Sequence, residues 1–599
     1  MKVFCRRFIY YKTVKRNRKC PIIENQKTDN LLNLAVDATS EEREKSLELN
    51  VGFEPETRMW DLIVKYSGDL SSLQMDGVTV VPLLNEYAIA TVPQNLLDAF
   101  INQPFIEYVE KPKRLFFAVN QARAASCITQ VQIPPWNLSG QGILVGIVDS
   151  GIDYRHPDFI KADGTTRILK IWDQSLPGNP PQGYAMGSEY GSEQLNQALE
   201  ASTQQEAYRI VPSRDSSGHG TAVAGIAAGN GRASEGIYRG VATDSSLLVV
   251  KLGNPKKDSF PRTTELIQGI DYVIRQAITM GMPLALNLSF GNNYGSHRGD
   301  TLLETYLTSV ANLGRSSICV GMGNNGADAL HTSGQMKMGQ TEQVEILVGD
   351  YEPSLNIQLW KSYTDQIDIF LTHPDGTTVG PLYEDLGPQR HRLGQTQLLI
   401  YYGKPSPYSA SQEIYFDFIP RGNYVDGGIW TITLQPRKVV DGGYNLWLPG
   451  GGVLNSGTRF YFPTPEATLT IPSAASRVIS VGAYNSRTLS YADFSGRGFL
   501  NTRYQIKPDL AAPGVNIRTA QVGGGYTTVT GTSFATPFVT GAAALLMEWG
   551  IVKGNDAYLY GEKVKAYLRR GARPLPGFAE HPNPQVGYGA LCVRDSLPV

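Results

Sequence analysis

Hydrophobic and polar positions follow three successive rhythms along the chain. Residues 60–66, 78–81, 87–92 and 106–110 alternate with a period of two and predict strands. Residues 93–102 place Leu96, Leu97, Phe100 and Ile101 on one face and predict a helix. A further helix is expected near residues 70–75, giving a strand-helix-strand-strand-helix-strand order, the split βαβ type of small α+β unit. A charged helical stretch over residues 39–48 precedes it.

From Gly142 the apolar runs become nearly continuous. Residues 142–148, 246–252, 284–290 and 317–321 read as strands buried on both faces. Helices over residues 263–280 and 300–313, and one opening near Gly218, alternate with them, which predicts a parallel α/β sheet. Between residues 340 and 461 the rhythm changes to short alternating segments, among them 343–348, 355–360, 366–371 and 429–434. Turns such as Pro374-Asp375-Gly376 separate them, and there is no amphipathic helix. The expectation is an all-β, jelly-roll-like sandwich. Because the α/β pattern returns at residues 477–483, this β module is an insertion, placed on the loop after Asn324, where entry and exit must be neighbours. The expected division is a basic arm and helical leader (1–48), the α+β unit (49–118), the α/β domain in two parts (127–335 and 465–599) and the inserted sandwich (336–464).

Composition narrows the classes of function. With 599 residues the chain exceeds one core, and its net charge of -1 argues against a general nucleic-acid binder. No apolar run is long enough to span a bilayer, so neither nucleic acid nor membrane is expected as a partner. The cysteines Cys5, Cys20, Cys127, Cys319 and Cys592 are odd in number and widely spaced. With no CxxC pair or ligand cluster among them, no metal site and a reducing compartment are expected. The N-terminal arm carries Arg6, Arg7, Lys12, Lys15, Arg16, Arg18 and Lys19 without a following apolar segment, unlike a secretory signal.

The candidate chemistry centres on Ser533, in Gly531-Thr532-Ser533-Phe534-Ala535-Thr536-Pro537, just where an apolar helical run begins. A serine there is ordinarily a helix cap, and Pro537 would suit a first helical turn. Two other residues change that reading. Asp149 ends a buried strand, at the edge where α/β sheets carry their sites. His219, flanked by glycines, opens a helix of small residues; His156, beside a proline, fits such a role less well. A serine hydroxyl needs a base, and the base needs an acid to hold its tautomer. Ser533's own N–H and the amide of Asn324, just past a strand end, are candidate oxyanion donors. A Gly-x-Ser-x-Gly elbow is absent around Ser533, which excludes an α/β-hydrolase esterase.

These segments resemble the subtilisin-like serine proteases, the subtilases. The matching stretches are Val148-Asp149-Ser150-Gly151-Ile152, Gly218-His219-Gly220-Thr221, Gly531-Thr532-Ser533-Phe534-Ala535-Thr536-Pro537 and Lys507-Pro508-Asp509-Leu510. The resemblance implies Asp149, His219 and Ser533 as a catalytic triad, with Asn324 as the side-chain oxyanion donor. It also implies Ser289, Phe290 and Gly291 along the substrate backbone, and a second flanking segment near Leu252-Gly253 and Phe260. The α+β unit looks like the family's prodomain, an intramolecular chaperone and bound inhibitor, cut by the enzyme itself between Arg114 and Ser126. Prodomain plus β insertion is similar to the Csp germination proteases of clostridia, which implies a cytoplasmic or spore-associated serine endopeptidase acting on protein or peptide. That group includes pseudoproteases, so a scaffolding protein whose β module binds a partner is the alternative. The 229–240 segment lacks the family's strong calcium-loop pattern, so neither cofactor nor structural metal is expected.

Overall fold

Each strand of the first sheet sends alternate side chains to opposite faces, and both faces are covered. The computed structural model describes residues 27–46, 48–70, 73, 75–113, 123–253, 261–384, 387–450, 452–499 and 506–598. The basic arm, Cys5, Cys20, Phe260 and most of the predicted cleavage segment between Arg114 and Ser126 lie outside these residues, as do residues 71, 72 and 74 of the helix expected near 70–75.

Two helices precede the first sheet. Helix α1 (Asn30–Asp37) is capped by Asp29, and α2 (Ser40–Lys45) carries a reciprocal Thr39/Glu42 capping box. Strands β1 (Phe53–Glu54), β2 (Met59–Tyr66), β3 (Thr79–Pro82), β4 (Tyr87–Pro93) and β5 (Ile106–Glu110), with α3 (Leu97–Ile101), form an antiparallel sheet. Its order is β1-β2-β4-β3, and β5 lies against β2. Ile63, Val81, Ile89 and Tyr108 face the main domain, packing with Leu266, Ile270 and Leu303. Leu62, Val64, Ala88 and Ala90 face the other way, onto Phe100, onto Leu31 and Leu34 of α1, and onto Leu399, Tyr401 and Tyr415 of the inserted module.

The main sheet has nine strands. They are β6 (Leu144–Asp149), β7 (Ile168–Asp173), β8 (Ser188–Gly191), β9 (Ser246–Lys251), β10 (Leu284–Leu288), β11 (Ser316–Gly321), β23 (Ile479–Asn485), β24 (Ser490–Tyr491) and β25 (Leu510–Pro513). The order is β24-β23-β11-β10-β6-β9-β7-β8, with β25 also on β23. All neighbours are parallel except the edge strands β8 and β24. The predicted parallel sheet is thus present but mixed at its margins. The helices are α4 (Ser192–Glu200), α5 (Gln204–Ile210), α6 (His219–Ala228), α7 (Thr263–Met280), α8 (Leu302–Val310), α9 (Thr532–Met547) and α10 (Glu562–Gly571). Helices α6 and α9 pack on one face with Val145, Ile147 and Val249; α7 and α8 pack on the other with Leu144, Val148 and Leu286. The expectation that no apolar run could span a bilayer is corrected: helix α9 with its continuation, Thr532–Val552, is long and apolar enough to do so, but 83% of its apolar window is buried in this core.

The insertion is a sandwich of two antiparallel sheets around one core. Its strands are β12 (His331–Gln335), β13 (Glu342–Val348), β14 (Leu355–Ser362), β15 (Gln366–Thr372), β16 (Thr378–Leu382), β17 (Gln389–Leu393), β18 (Thr396–Tyr402), β19 (Ser411–Pro420), β20 (Gly428–Lys438), β21 (Gly443–Trp447) and β22 (Arg459–Phe460). Entry and exit are adjacent: His331 Nδ1 and the Thr464 carbonyl oxygen are 3.0 Å apart. Strands β26 (Ile517–Ala520) and β27 (Tyr526–Val529) form a hairpin beside α6.

The expectation of reduced, unpaired cysteines is corrected. Cys127 and Cys592 form a disulfide, their Cα atoms 4.8 Å apart although 465 residues separate them in sequence. Only the folded chain brings them together, so spacing gave no signal. Cys319 is buried and unbonded.

The first unit, the insertion and the main domain meet at a group of buried carboxyls. Asn30 Nδ2 donates to Glu413 of β19 at 2.6 Å, Leu302 N donates to Glu110 at 3.0 Å, and Lys113 Nζ lies 2.5 Å from Glu110. Ser46 donates to Asp417 at 2.5 Å, and Thr301 donates to Glu304 at 2.8 Å. Burial raises Asp29 to about 6, Glu413 and Asp417 to about 7 and Glu304 to about 8. Lys113 lowers Glu413 and Glu304; Glu110 adds repulsion at Glu413, and Asp300 at Glu304. Unfolded carboxyls titrate near ~4. These groups therefore take up protons on folding, and the stability they contribute is greatest below pH ~4 and declines as pH rises toward the folded values. The midpoint of thermal unfolding should be lower at pH 8 than at pH 5 at fixed ionic strength. Glu413→Gln should raise it at pH 8 and leave it nearly unchanged at pH 5; equal effects at both pH values would refute the assignment.

Candidate active site

Three side chains far apart in sequence converge at the C-terminal edge of the main sheet. Asp149, fully buried, is the last residue of β6. Its Oδ1 accepts from the Ser150 N–H at 2.7 Å and lies 2.6 Å from His219 Nδ1. That bond places the ring proton on Nδ1 and the imidazole lone pair on Nε2, the tautomer a base requires. His219 is the first residue of α6, and its ring lies 4.9 Å from that of Phe534 and 6.0 Å from that of Phe290. The start of α6 presses against the loop after β6. A Cβ on Gly220 would stand 2.1 Å from the Gly151 carbonyl oxygen, which is why glycine follows the histidine.

Ser533 is the second residue of α9 and is 4% exposed. The sequence reading put Pro537 in the first turn of this helix, but the helix starts at Thr532, so the proline lies one turn further in. An α-helix pairs each N–H with the carbonyl four residues back. Pro537 has no N–H, so the Ser533 carbonyl lacks its helical donor. The hydroxyl of Ser289, just past β10, supplies one at 2.8 Å. In return the Ser533 hydroxyl donates to the Ser289 carbonyl at 3.0 Å. Asn287 Nδ2 holds the Ser289 hydroxyl at 2.8 Å, and Thr540 of α9 donates to Asn287 Oδ1 at 3.0 Å.

Asn324 follows β11. Its Oδ1 accepts from the Thr532 N–H at 3.0 Å and the Thr532 hydroxyl at 3.1 Å. The amide oxygen is thereby committed to the start of α9, and the NH₂ end is turned from it. Ser289, Phe290, Gly291, Asn324 and Ser533 line one cleft, together with Asn292, Asn293, Asn325 and Thr470 and with Gly450 of the inserted segment. Gly323 has a positive φ of 82°, and a Cβ there would meet Thr470 at 2.4 Å. Asn292 Nδ2 and Asn293 Oδ1 are buried with no hydrogen-bond partner among the described residues. Leu252, on the other predicted flank, donates its N–H to the Asp149 carbonyl at 2.7 Å. His156 stands apart from the cleft, with its ring between the Gly525 carbonyl and the Asp158 N–H.

One organising residue was not picked out from sequence. Asp215, 3% exposed, accepts from Ser150 Oγ at 2.7 Å and Gly218 N at 2.9 Å through Oδ1. Through Oδ2 it accepts from Thr221 N at 2.8 Å and Thr221 Oγ1 at 2.7 Å. It thus binds the loop after Asp149 to the helix that begins with His219. It lies three residues ahead of Gly218, the N-cap of α6, outside the capping position itself, so its link to the helix start carried only the general signal of an aspartate before a helix.

A parallel-sheet domain with an aspartate, a histidine and a serine on β6, α6 and α9 defines the subtilisin-like class. The subtilase family matches residues 140–372 and 455–589, and the chain belongs to it. The Csp protease B prodomain matches residues 26–113, a stretch that includes α1 and α2. Among solved structures, the CspB protease of Clostridium perfringens is 36% identical, with a TM-score of 0.73, covering 79% of this chain and 96% of that one. A PII-type proteinase of Lactococcus lactis subsp. cremoris is 26% identical over 72% of this chain, and the minor extracellular protease Vpr of Bacillus subtilis is 23% identical over 77%. The match spans about a quarter of the lactococcal proteinase, 24% of its length.

The calcium loop implied by the family does not fit this chain's residues. In the 229–240 segment Arg232 donates from Nη1 to the Ile160 carbonyl at 3.1 Å and also to the Lys161 carbonyl. The positive guanidinium beside them disfavours a cation at these two carbonyls.

Replacing Asp215 by alanine leaves several buried donors unpaired, so stability should fall by about 3 kcal/mol in urea unfolding. Turnover should fall with it, because His219 loses its anchorage. Asp215→Asn, which keeps an acceptor, should recover part of both; an unchanged urea midpoint in Asp215→Ala would remove the residue from this role.

Proposed function

We propose that the chain is a serine endopeptidase that forms an acyl-enzyme on Ser533 and cuts its own prodomain from the rest of the molecule. The observation that carries this reading is the 2.6 Å Asp149–His219 contact at the helix start facing α9. In this reading the Ser533 hydroxyl turns from the Ser289 carbonyl to His219, which takes its proton as the oxygen attacks the peptide carbonyl. Asp149 stabilises the imidazolium that results. The Ser533 N–H and the Asn324 NH₂ hold the oxyanion; His219 then protonates the leaving amine, and water repeats the sequence on the ester.

Residues 27–113 act as the bound inhibitor in this proposal. They are attached through Lys113, whose N–H donates to Thr263 Oγ1 at 2.7 Å, through Tyr87 to Thr305 at 2.9 Å, and through Arg262 to Asp61 at 2.8 Å. The serine at the centre of the reading has a direct test. Ser533→Ala should leave the chain uncut and unlabelled by a fluorophosphonate, with kcat on peptides reduced on the order of 10⁶-fold. Normal processing in that variant would sink the proposal.

The cleft beside Ser533 supports a substrate class. Ser289, Phe290 and Gly291 pair with the peptide backbone, and the side chain before the scissile bond enters the cleft. The unpaired donor of Asn292 and acceptor of Asn293 suit a side chain carrying both an acceptor and a donor, a carboxamide. A site built for such groups discriminates strongly, because an apolar analogue leaves them unpaired. In a series of peptides differing only at that position, glutamine or asparagine should exceed leucine in kcat/KM by about 10²-fold or more. A preference for leucine would reject the carboxamide assignment while leaving the serine chemistry standing.

A further inference from the structure

Behind the two helices that begin with His219 and Thr532 lies an open pocket lined, among the described residues, by three arginines and no carboxylate. Arg123 comes from the segment entering the main domain, Arg239 from the loop after α6, and Arg518 from the β26–β27 hairpin. Gly225 and Ile226 of α6 and Phe538 of α9 form its inner wall, about 9 Å along α6 from His219 at 1.5 Å per residue.

Like charges repel one another; water and salt screen the exposed Arg239 and Arg518, whereas Arg123 is partly buried and more weakly screened. Arg123 Nη1 donates to the Arg239 carbonyl at 3.2 Å and Nη2 to Gln132 Oε1, while its Nε is buried with no partner. Burial and the charge of Arg239 together lower Arg123 to about 10. Arg518 lies over the Tyr238 ring, 5.5 Å from its centroid. The acid behind that wall, Asp158, is already held by Tyr526 OH at 2.9 Å and Ala233 N at 3.0 Å. Among the described residues none of the three guanidiniums forms an ion pair.

We propose that this cavity is an oxyanion-binding site, taking a phosphate or carboxylate group between Arg123, Arg239 and Arg518. Guanidinium forks match the planar or tetrahedral oxygens of such groups, and the anion supplies the missing counter-charge. Bound there, it braces the loop after α6 against the β26–β27 hairpin and the flank of α9.

Thermal unfolding and isothermal titration of the full chain test this, with sodium phosphate and sodium isophthalate against sodium chloride at equal ionic strength. A saturable rise in midpoint of about 2 °C or more is expected with at least one of the two anions, and binding heat with the same anion. A response to phosphate, to isophthalate or to both distinguishes phosphate from carboxylate ligands. The exposed Arg518→Gln variant, alone and with Arg239→Gln, should keep the chloride midpoint and lose both signals. No saturable response to either anion, or a response that survives in the double variant, overturns the proposal. So does stabilisation by calcium chloride without stabilisation by the sodium salts.

Discussion

A single missing hydrogen bond fixes where Ser533 stands. Proline at position 537 deprives the Ser533 carbonyl of its helical donor, and the Ser289 hydroxyl replaces it across the gap between β10 and α9. A buried carbonyl without a donor would cost about 1–3 kcal/mol, so the helix and the strand end are held in one register. Asn324 adds a second tie from β11 to Thr532. The first turn of α9 is therefore bolted to two adjacent parallel strands. On the opposite side, the short Asp149–His219 contact and the bonds to Asp215 fix α6 against β6. Five elements are locked at the same sheet edge by side chains that leave little rotational freedom, and such preorganisation is what acyl transfer demands.

Much of this was legible because the chemistry sits where the local pattern changes abruptly. Asp149 and Asn324 follow apolar runs, and His219 and Ser533 open small-residue helices, so each is marked by its neighbours. The inserted sandwich was legible as a change of period. Its contribution to the cleft was not: Gly450 reaches Asn293 and Asn325 only because the entry and exit of the module are adjacent. Asp215 escaped notice because its acceptors serve donors on two loops and a helix start, a role that no spacing advertises. Strand β7 was missed since its burial is irregular, with Leu169 and Lys170 half exposed between buried neighbours. The first helix of the chain was missed for another reason. Its apolar face meets the inserted module more than 350 residues later, at Leu399 and Tyr401, so nothing nearby explains it.

The three-way junction sets how the molecule is held together. The first unit is covered on one face by α7 and α8 and on the other by the inserted sandwich, so it is wedged rather than appended. Apolar burial provides the attraction on both faces. The buried carboxyls provide specificity and a penalty, because the cations that reach them, Lys113 chief among them, are outnumbered. A contact with that balance is strong while the acids are neutral and weaker once they ionise. The Lys507-Pro508-Asp509 segment shows the opposite balance. Burial alone would raise Asp509, but Lys507, Lys565 and Arg569 hold it down at about 2. Strand β25 is thereby tied to α10 across the whole neutral range.

The same contrast separates the two sides of the reactive edge. In front, neutral amides from Asn292, Asn293 and Asn325 line the cleft, and the polar groups wait for a partner of matching shape. Behind, arginines line a cavity that lacks negative charge, and the groups wait for a partner of matching sign. The cleft holds polar atoms of Asn292 and Asn293 buried without satisfaction, and the pocket behind holds one, Arg123 Nε, a condition that proteins otherwise avoid. In a core fixed as tightly as the α9–β10 register, such atoms cannot relax toward one another. The rigidity that positions Ser533 is therefore also what keeps the unpaired groups on either side of it open for something from outside the chain.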